Sequence, residues 1–222
     1  MAYASTNPYT GQVLQRFGEI DDPALDALLQ SAQTCFSTQW RDTGFPQRRM
    51  VLARAAALMR ERAPQLAELI TLEMGKLIAQ SQGEVALSAA ILDYYAENAE
   101  SFLAPETLVT PKGRAVVESS PLGVLLGVEP WNYPYYQVAR FAAPNLMAGN
   151  VVMVKHASNV PQCALAFAQL MHDAGLPEAA YTNLFISADQ VGRLIDDPRV
   201  RGVALTGSEA AGAAVAARAG RT

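Results

Sequence analysis

Four apolar segments in the second half of the chain alternate with helix-like segments. The apolar segments are "LGVLLGV", "VVMVK", "YTNLFIS" and "GVALTGS". Continuous apolar strands that are joined by helices are typical of a parallel sheet buried under helices on both faces. The sequence therefore predicts an α/β fold, with the sheet in residues 121–222.

The first half of the chain is predicted to be helical. Residues 1–106 contain several amphipathic patterns, and the first, "DDPALDALLQSAQTCF", has Asp22 as its expected N-cap. Residues 107–120 are predicted to form a β-ribbon that turns at Lys112–Gly113. We expect the N-terminal helices to pack on the sheet of residues 121–222 rather than to form a separate domain.

Composition excludes several classes of function. Half of the 222 residues are hydrophobic, 17% are charged, and the net charge is −4 without a basic cluster. Nucleic acid is therefore not an expected partner, because phosphate binding needs a basic patch. No apolar run reaches the roughly 18 residues that a membrane helix needs. The N-terminus lacks the pattern of a signal peptide, so we expect a cytoplasmic protein.

The cysteines and histidines do not indicate a metal site. Cys35 and Cys163 are far apart in the sequence and match no zinc-binding spacing. Each is interpreted as a small buried residue of a helix. His156 has no second His or Cys nearby at ligand spacing, and His172 fits a helix end. No metal is predicted.

Polar residues follow three of the four apolar strands. They occur in "PWNYP", "KHAS" and "TGSEAAG", and ligands of open parallel sheets bind at the carboxyl ends of strands. Asn132 at such an end is costly to bury unless its side-chain amide is used. Lys155 either bonds to ribose hydroxyls or a phosphate, or extends along the strand to water. The sequence leaves both interpretations of Lys155 open.

A helix is predicted to begin near Gly207 and Ser208. The unpaired N–H groups of a helix N-terminus suit a phosphate, and the Ser208 hydroxyl could donate to it. Neither the P-loop pattern nor the GxGxxG pattern occurs here. Taken alone, this stretch is better explained by Ser208 as a simple helix cap.

Taken together, these stretches resemble the aldehyde dehydrogenase superfamily. "NPYTG", "LEMGK", "PWNYP", "VKHAS" and "LTGSEAAG" occur in the order of that family and at compatible spacing, across essentially the whole chain. Within it, the chain is most similar to bacterial NAD(P)-dependent succinate-semialdehyde dehydrogenases. The stretches "VKHASN" and "GSEAAGAA" are similar to the corresponding stretches of the bacterial NAD-dependent branch.

The resemblance implies a Rossmann-like cofactor domain and the oxidation of an aldehyde, succinate semialdehyde, to the carboxylic acid. Asn132 is implied to be the catalytic donor to the oxyanion of a thiohemiacetal. The resemblance also implies a homo-oligomer, a dimer or a tetramer, for the full-length protein, and in relatives a ribbon like that of residues 107–120 takes part in subunit contacts. The residues implied to bind NAD or NADP are Trp131, Lys155, Ser158, Gly207, Ser208 and Gly212.

Two positions bear on specificity. NAD-preferring members often carry Glu where Ser158 stands, so the sequence leaves NAD and NADP both open. Arg140 lies eight residues after Asn132, about two helical turns, and the resemblance implies that it holds the distal carboxylate of the substrate. A structural ion pair is the alternative for Arg140. Many members carry Lys at the next position, where this chain has Phe141.

The family's nucleophile motif GQxC and general-base motif ELGG do not occur in the sequence. The resemblance therefore implies that the chain corresponds to the N-terminal half of such an enzyme, without its catalytic domain. We expect no aldehyde turnover by this chain alone. The alternatives are a non-catalytic fragment that binds nucleotide or docks on a subunit, and an unrelated doubly wound protein with chance motifs.

Overall fold

A parallel sheet of four strands lies at the centre of the described chain, residues 3–221 of a computed structural model. The strands are β1 (Tyr3–Thr6), β2 (Val13–Phe17), β3 (Glu106–Thr110), β4 (Gly113–Val117), β5 (Val124–Glu129), β6 (Val151–His156), β7 (Tyr181–Asn183) and β8 (Val200–Leu205). The helices are α1 (Asp22–Cys35), α2 (Phe45–Glu61), α3 (Ala63–Met74), α4 (Ile78–Phe102), α5 (Tyr136–Met147), α6 (Pro161–Asp173), α7 (Ala188–Asp196) and α8 (Glu209–Ala219). A π-helical turn, Phe36–Trp40, extends α1.

The order of strands in the sheet is β7-β6-β5-β8, and all pairs are parallel. The chain moves outward from β5 to β7 and then returns to the other side of β5 with β8. Helices α5 and α6 cover one face, and α1, α7 and α8 cover the other. The predicted α/β fold is confirmed. The reversal creates a topological switch point between β5 and β8, where a crevice forms at the carboxyl ends of the strands.

Close approach between α5 and the sheet depends on a glycine in β5. An added Cβ at Gly127 would lie 2.6 Å from Cε1 of Phe141, so only glycine leaves room for that ring. Phe141 stands at the position where many members of the family that the sequence resembles carry a lysine. In this chain the position packs α5 onto the sheet.

The N-terminal helices share one hydrophobic core with the sheet. Helix α1 contacts β6 and β7, while α4 packs between α2 and α5. Helix α3 is capped by Gly75, whose φ of +74° is the left-handed conformation of a helix C-cap. Residues from both halves of the chain are therefore buried together.

Several local expectations were wrong. Residues 1–106 are not only helical, because β1 and β2 form an antiparallel hairpin at their start. The N-cap of α1 is Asp21 rather than Asp22, because the Asp21 carboxylate accepts a hydrogen bond from the backbone N–H of Ala24. Strand β7 is shorter than the predicted strand "YTNLFIS", because its pairing with β6 stops at Asn183.

The ribbon expected at residues 107–120 runs from Glu106 to Val117. Its two strands pair in antiparallel register from Glu106 with Val117 to Thr110 with Gly113. The turn is therefore Pro111–Lys112, one residue earlier than Lys112–Gly113. Both strands are exposed along their whole length.

We predict that Gly127→Ala lowers the free energy of unfolding by about 1–3 kcal/mol, because the new methyl group overlaps the Phe141 ring. The matched control is Gly83→Ala. Gly83 lies in α4 with open space around its Cβ position, so alanine should raise the unfolding free energy by about 0.5–1 kcal/mol. Urea unfolding of the two variants measures both changes. Equal effects of the two substitutions would contradict the packing account.

Candidate functional site

The three polar stretches lie at the carboxyl ends of β5, β6 and β8, as the sequence predicts. The segment after β8 lies along the end of β5, because the backbone N–H of Thr206 donates to the carbonyl of Val128 at 3.0 Å. This hydrogen bond places the residues that follow both strands on the two sides of the switch point. The crevice there is the candidate site.

The loop after β5 presents Trp131 and Asn132 to solvent. The backbone carbonyl of Asn132 accepts a hydrogen bond from Nζ of Lys76 at 2.9 Å. Among the described residues, no group pairs with the side-chain amide of Asn132. The loop is therefore held by its backbone while the amide stays available.

A buried ion pair between Lys76 and Glu84 fixes this loop. The two side chains are only 8% and 0% exposed. Oε1 of Glu84 accepts the backbone N–H groups of Tyr135 at 2.9 Å and Tyr136 at 3.3 Å, at the start of α5. Nζ of Lys76 also lies 3.6 Å from the ring centroid of Tyr133.

Sequence reasoning missed the role of this pair. Lys76 was noted only as part of "LEMGK", and Glu84 was not singled out. A charged residue on the buried face of α4 is the signal that could have found Glu84, because a carboxylate there needs a partner.

Arg140 lies on α5, beside the segment that follows β8. Its Nη2 donates to Oε1 of Gln137 at 2.9 Å and to Oγ1 of Thr206 at 3.3 Å. The guanidinium also lies 5.5 Å from the ring centroid of Tyr136. The expectation that helical turns relate Arg140 to Asn132 was wrong, because α5 begins only at Tyr136.

Glu129 is a buried carboxyl next to Arg140 that sequence reasoning did not select. Burial raises its pKa to about 8, against the opposing effects of a hydrogen bond with Thr206 and the charge of Arg140. His156 is its partner across β5 and β6, and burial lowers the pKa of that imidazole to about 4. On the neighbouring strand, Tyr181 is also buried and has a raised pKa. At neutral pH these groups are therefore uncharged, and Arg140 carries the charge of this region.

A cleft of about 270 Å³ lies on the opposite face of the sheet, between α7 and α8. Lys155 lines it together with aliphatic residues of β5, β8 and both helices. Burial lowers the pKa of the Lys155 ammonium, whose Nζ lies 5.7 Å from the ring centroid of Tyr3. Lys155 therefore contributes to the cleft, and its ammonium lies on the side of Tyr3.

The other predicted cofactor residues do not line the cleft, but Ser208 and Gly212 belong to α8, which forms one of its walls. Ser208 is the N-cap of α8, and its Oγ accepts the N–H of Ala211 at 3.3 Å, so the capping interpretation of Ser208 is correct. The position of a Cβ on Gly212 meets nothing within 4 Å, which leaves space along the first turn of α8. Ser158 is half-buried after β6, and its carbonyl accepts the N–H of Ala4 at 3.0 Å.

The crevice therefore has two parts. Lys155, Gly207, Ser208 and Gly212 belong to the face of α7 and α8, whereas Arg140 belongs to the face of α5. Trp131 and Asn132 follow β5, the strand that lies at the switch point. A larger depression of about 540 Å³ lies along the outer edge of β8, away from the carboxyl ends and from every predicted site residue.

The two thiols are buried. Burial raises the pKa of Cys35, and raises that of Cys163 well above its usual value, so neither is an activated nucleophile. Within residues 3–221, no group of three His, Cys, Asp or Glu side chains is arranged to hold a metal ion. In that same part of the chain, no helix is long and apolar enough to cross a membrane.

Comparison with known proteins gives consistent matches over the whole chain. The model of the aldehyde dehydrogenase family matches residues 1–222. Succinate-semialdehyde dehydrogenase [NADP(+)] of Deinococcus radiodurans is 52% identical over 99% of this chain and 46% of its own length. The probable enzyme of the same name from Synechocystis is 46% identical over 99% of this chain and 48% of its own length.

A solved structure has the same fold. Succinic semialdehyde dehydrogenase from Streptococcus pyogenes, in complex with NADP+, superposes with a TM-score of 0.96 at 43% identity. The match covers 99% of this chain and 48% of that protein. The chain therefore spans about half the length of the relatives that it matches.

We predict that breaking the Lys76–Glu84 pair destabilises the protein strongly. Lys76→Met or Glu84→Gln should each lower the free energy of unfolding by about 3–5 kcal/mol, because each leaves a buried charge without its partner. The double variant should lose less than the sum of the two. Urea unfolding measures these values. In the exposed pair Arg41–Asp42, Asp42→Asn should cause no measurable change, and a similar loss in both pairs would refute the role of burial.

We also predict a pH dependence of stability that Glu129 causes. The folded state raises the pKa of Glu129 from 4.5 to about 8, so the folded protein binds this proton more tightly than the unfolded chain does. The stabilisation is complete below about pH 4.5 and is lost as the pH rises to about 8. Relative to Glu129→Gln, the wild type should lose a few kcal/mol of unfolding free energy over that range. The control variant Glu118→Gln, which changes an exposed carboxyl, should show the same pH dependence of unfolding free energy as the wild type. If the difference in unfolding free energy between wild type and Glu129→Gln is the same at every pH, the carboxyl of Glu129 titrates normally and the prediction is wrong.

Proposed function

The chain belongs to the aldehyde dehydrogenase family, and from that premise we propose that its sheet binds NADP for the oxidation of succinate semialdehyde to the acid. The observation that carries the proposal is that the candidate binding residues lie around one crevice. The cleft with Lys155 lies on one side of the switch point, and Arg140 lies on the other. The names of the relatives from Deinococcus and Synechocystis support the choice of substrate and cofactor.

The residues present fit a dinucleotide. The N-terminus of α8 at Gly207 and Ser208 offers unpaired N–H groups and the positive end of the helix dipole to a pyrophosphate. From there the adenosine would enter the cleft between α7 and α8, where the Lys155 ammonium can bond to ribose hydroxyls. The nicotinamide would extend towards Trp131 and Asn132. Bound NADP would supply the hydride acceptor.

The preference for NADP rests on charge. The neutral side chain of Ser158 stands where NAD-preferring relatives often carry a glutamate, so a 2′-phosphate meets no repulsion there. The Lys155 ammonium, three residues earlier in β6, adds attraction for the phosphate. Two short stretches of the sequence resemble an NAD-dependent branch, whereas the relatives from Deinococcus and Synechocystis are named for NADP(+).

Asn132 would stabilise the negative charge that develops on the aldehyde oxygen. Its amide extends from a backbone position that Lys76 fixes, through a hydrogen bond to the carbonyl of the same residue. A donor of this kind is worth roughly 3–4 kcal/mol of transition-state stabilisation. Lys76 and Glu84 act through Asn132, by positioning it.

Arg140 would bind the distal carboxylate of succinate semialdehyde. A guanidinium can pair both oxygens of a carboxylate, and Arg140 is exposed at the crevice. Glu129 is the competing carboxyl, but its raised pKa keeps it neutral at neutral pH. A neutral Glu129 does not compete for the guanidinium of Arg140, which can then pair with an anionic substrate.

The chain contains the proposed cofactor-binding residues, but neither of its cysteines is an activated nucleophile. Cys35 and Cys163 are buried thiols with raised pKa values, and the motifs GQxC and ELGG do not occur in its 222 residues. We expect the isolated chain to bind NADP without turning over aldehyde. The thiolate and the general base belong to the part of the relatives that the chain does not match.

A second candidate function, docking on another subunit, is favoured by the hairpin β3–β4. Its strands are exposed throughout, and Val109 at its tip is 95% exposed. An apolar surface of this kind is typical of a protein–protein contact. The two candidates differ in whether the folded chain binds nucleotide.

Calorimetric titration of the chain with NADP and with NAD tests the proposal. We expect NADP to bind, and Lys155→Ala to weaken it about tenfold or more, because a charge-assisted hydrogen bond is lost. Ser158→Glu should weaken NADP far more than NAD, since the new carboxylate repels the 2′-phosphate. Lys112→Ala, in the exposed turn of the ribbon, is the control and should change neither affinity. A folded chain that binds neither nucleotide would reject the cofactor site and favour docking.

A further inference from the structure

An ion pair joins the two helices that form the walls of the cleft. Arg218 of α8 donates from Nε to Oδ1 of Asp196 in α7 at 2.8 Å, and from Nη2 to the second carboxylate oxygen. Two parallel bonds fix the plane of a guanidinium as well as its position. Arg218 is therefore held in one orientation above the space between the helices.

The guanidinium of Arg218 packs against the backbone of α7 at Gly192. A Cβ on Gly192 would lie 2.3 Å from Nη1, 2.7 Å from Cζ and 3.2 Å from Nε of Arg218. Any side chain at residue 192 would displace the arginine. The glycine, the carboxylate of Asp196 and the arginine thus form one packed unit.

Stability alone does not explain this unit. The side chains of Arg218 and Asp196 are 42% and 48% exposed, and ion pairs of that exposure contribute little to folding. Arg218 lines the same cleft as Lys155, and the remaining lining residues are aliphatic or glycine. The pair therefore places a flat cationic surface at a slot whose other lining residues, apart from Lys155, are aliphatic or glycine.

The size of the slot fits one end of a dinucleotide. Its volume of about 270 Å³ is below the roughly 300–1,000 Å³ of sites that enclose a whole ligand. Planar guanidinium groups stack on aromatic rings, and aliphatic side chains such as Val191 and Val215 cover the faces of a base well.

We infer that Arg218 is a specificity-determining residue of the nucleotide site, whose guanidinium stacks on the adenine base. Asp196 is its positioning residue, and Gly192 provides the space. The inference rests on the proposed NADP site and adds the recognition of the base to it. Asp196 takes Nε and one N–H of Nη2, so the inference assigns to Arg218 a contact through the face of its guanidinium, with the base and not with the 2′-phosphate.

Titration calorimetry with NADP, NAD, ADP-ribose and nicotinamide mononucleotide tests this role. Arg218→Ala should weaken NADP, NAD and ADP-ribose by the same factor, about three- to tenfold, because each contains adenine. Arg218→Ala should not change the affinity for nicotinamide mononucleotide, which contains no adenine. Arg218→Lys should behave like Arg218→Ala, since lysine keeps the charge and loses the plane. The control is Arg193→Ala, which removes an arginine of α7 that pairs with Asp22 outside the cleft.

Gly192→Ala gives a second variant that leaves Arg218 in the sequence. It should reproduce the loss, because the added methyl group displaces the guanidinium. Unchanged affinities in folded Arg218→Ala overturn the inference, and so does a loss confined to NADP, which would mean a phosphate contact. The wild-type titration reports on the proposed function, and the ratio of variant to wild type reports on Arg218. If the wild type binds no nucleotide, both proposals fall.

Discussion

The carboxylate of Glu84 is the group on which the geometry of the crevice depends. It is fully buried, and a buried charge is tolerated only when it is paired and hydrogen-bonded. Its partners are the ammonium of Lys76 and the first backbone N–H groups of α5. Through one carboxylate, α4 therefore determines where the loop after β5 ends and where α5 begins.

The topology of the sheet separates the candidate binding residues into two groups. Helices α7 and α8 enclose an apolar cleft with Lys155 and Arg218, whereas α5 on the other face carries Arg140. The strands that border the switch point belong to both parts. Thr206 links the parts, because it pairs with the end of β5 and accepts a hydrogen bond from Arg140. A ligand that spans the crevice would contact residues from both faces at once.

The sequence was sufficient for the architecture and for the location of the crevice. Apolar strands and helix patterns are local signals, and the carboxyl ends of strands follow from them directly. The hairpin β1–β2 escaped prediction because β2 is short and largely exposed, so it lacks an apolar pattern. The pairs Lys76–Glu84 and Arg218–Asp196 join different elements, and no local pattern reports such contacts. Ser208 was predicted as a cap and is one, but its role towards a phosphate stays a prediction.

The hairpin at the start of the chain has a practical meaning for protein engineering. Strand β1 binds the loop after β6 through Ala4 and Ser158, and the Tyr3 ring lies beside Lys155. The Tyr3 hydroxyl donates to the carbonyl of Ile186, just before α7. A purification tag or fusion partner joined to this end would therefore lie close to Lys155 and to the start of α7, which border the cleft between α7 and α8. The choice of terminus for such an attachment is thus part of the design of any affinity measurement.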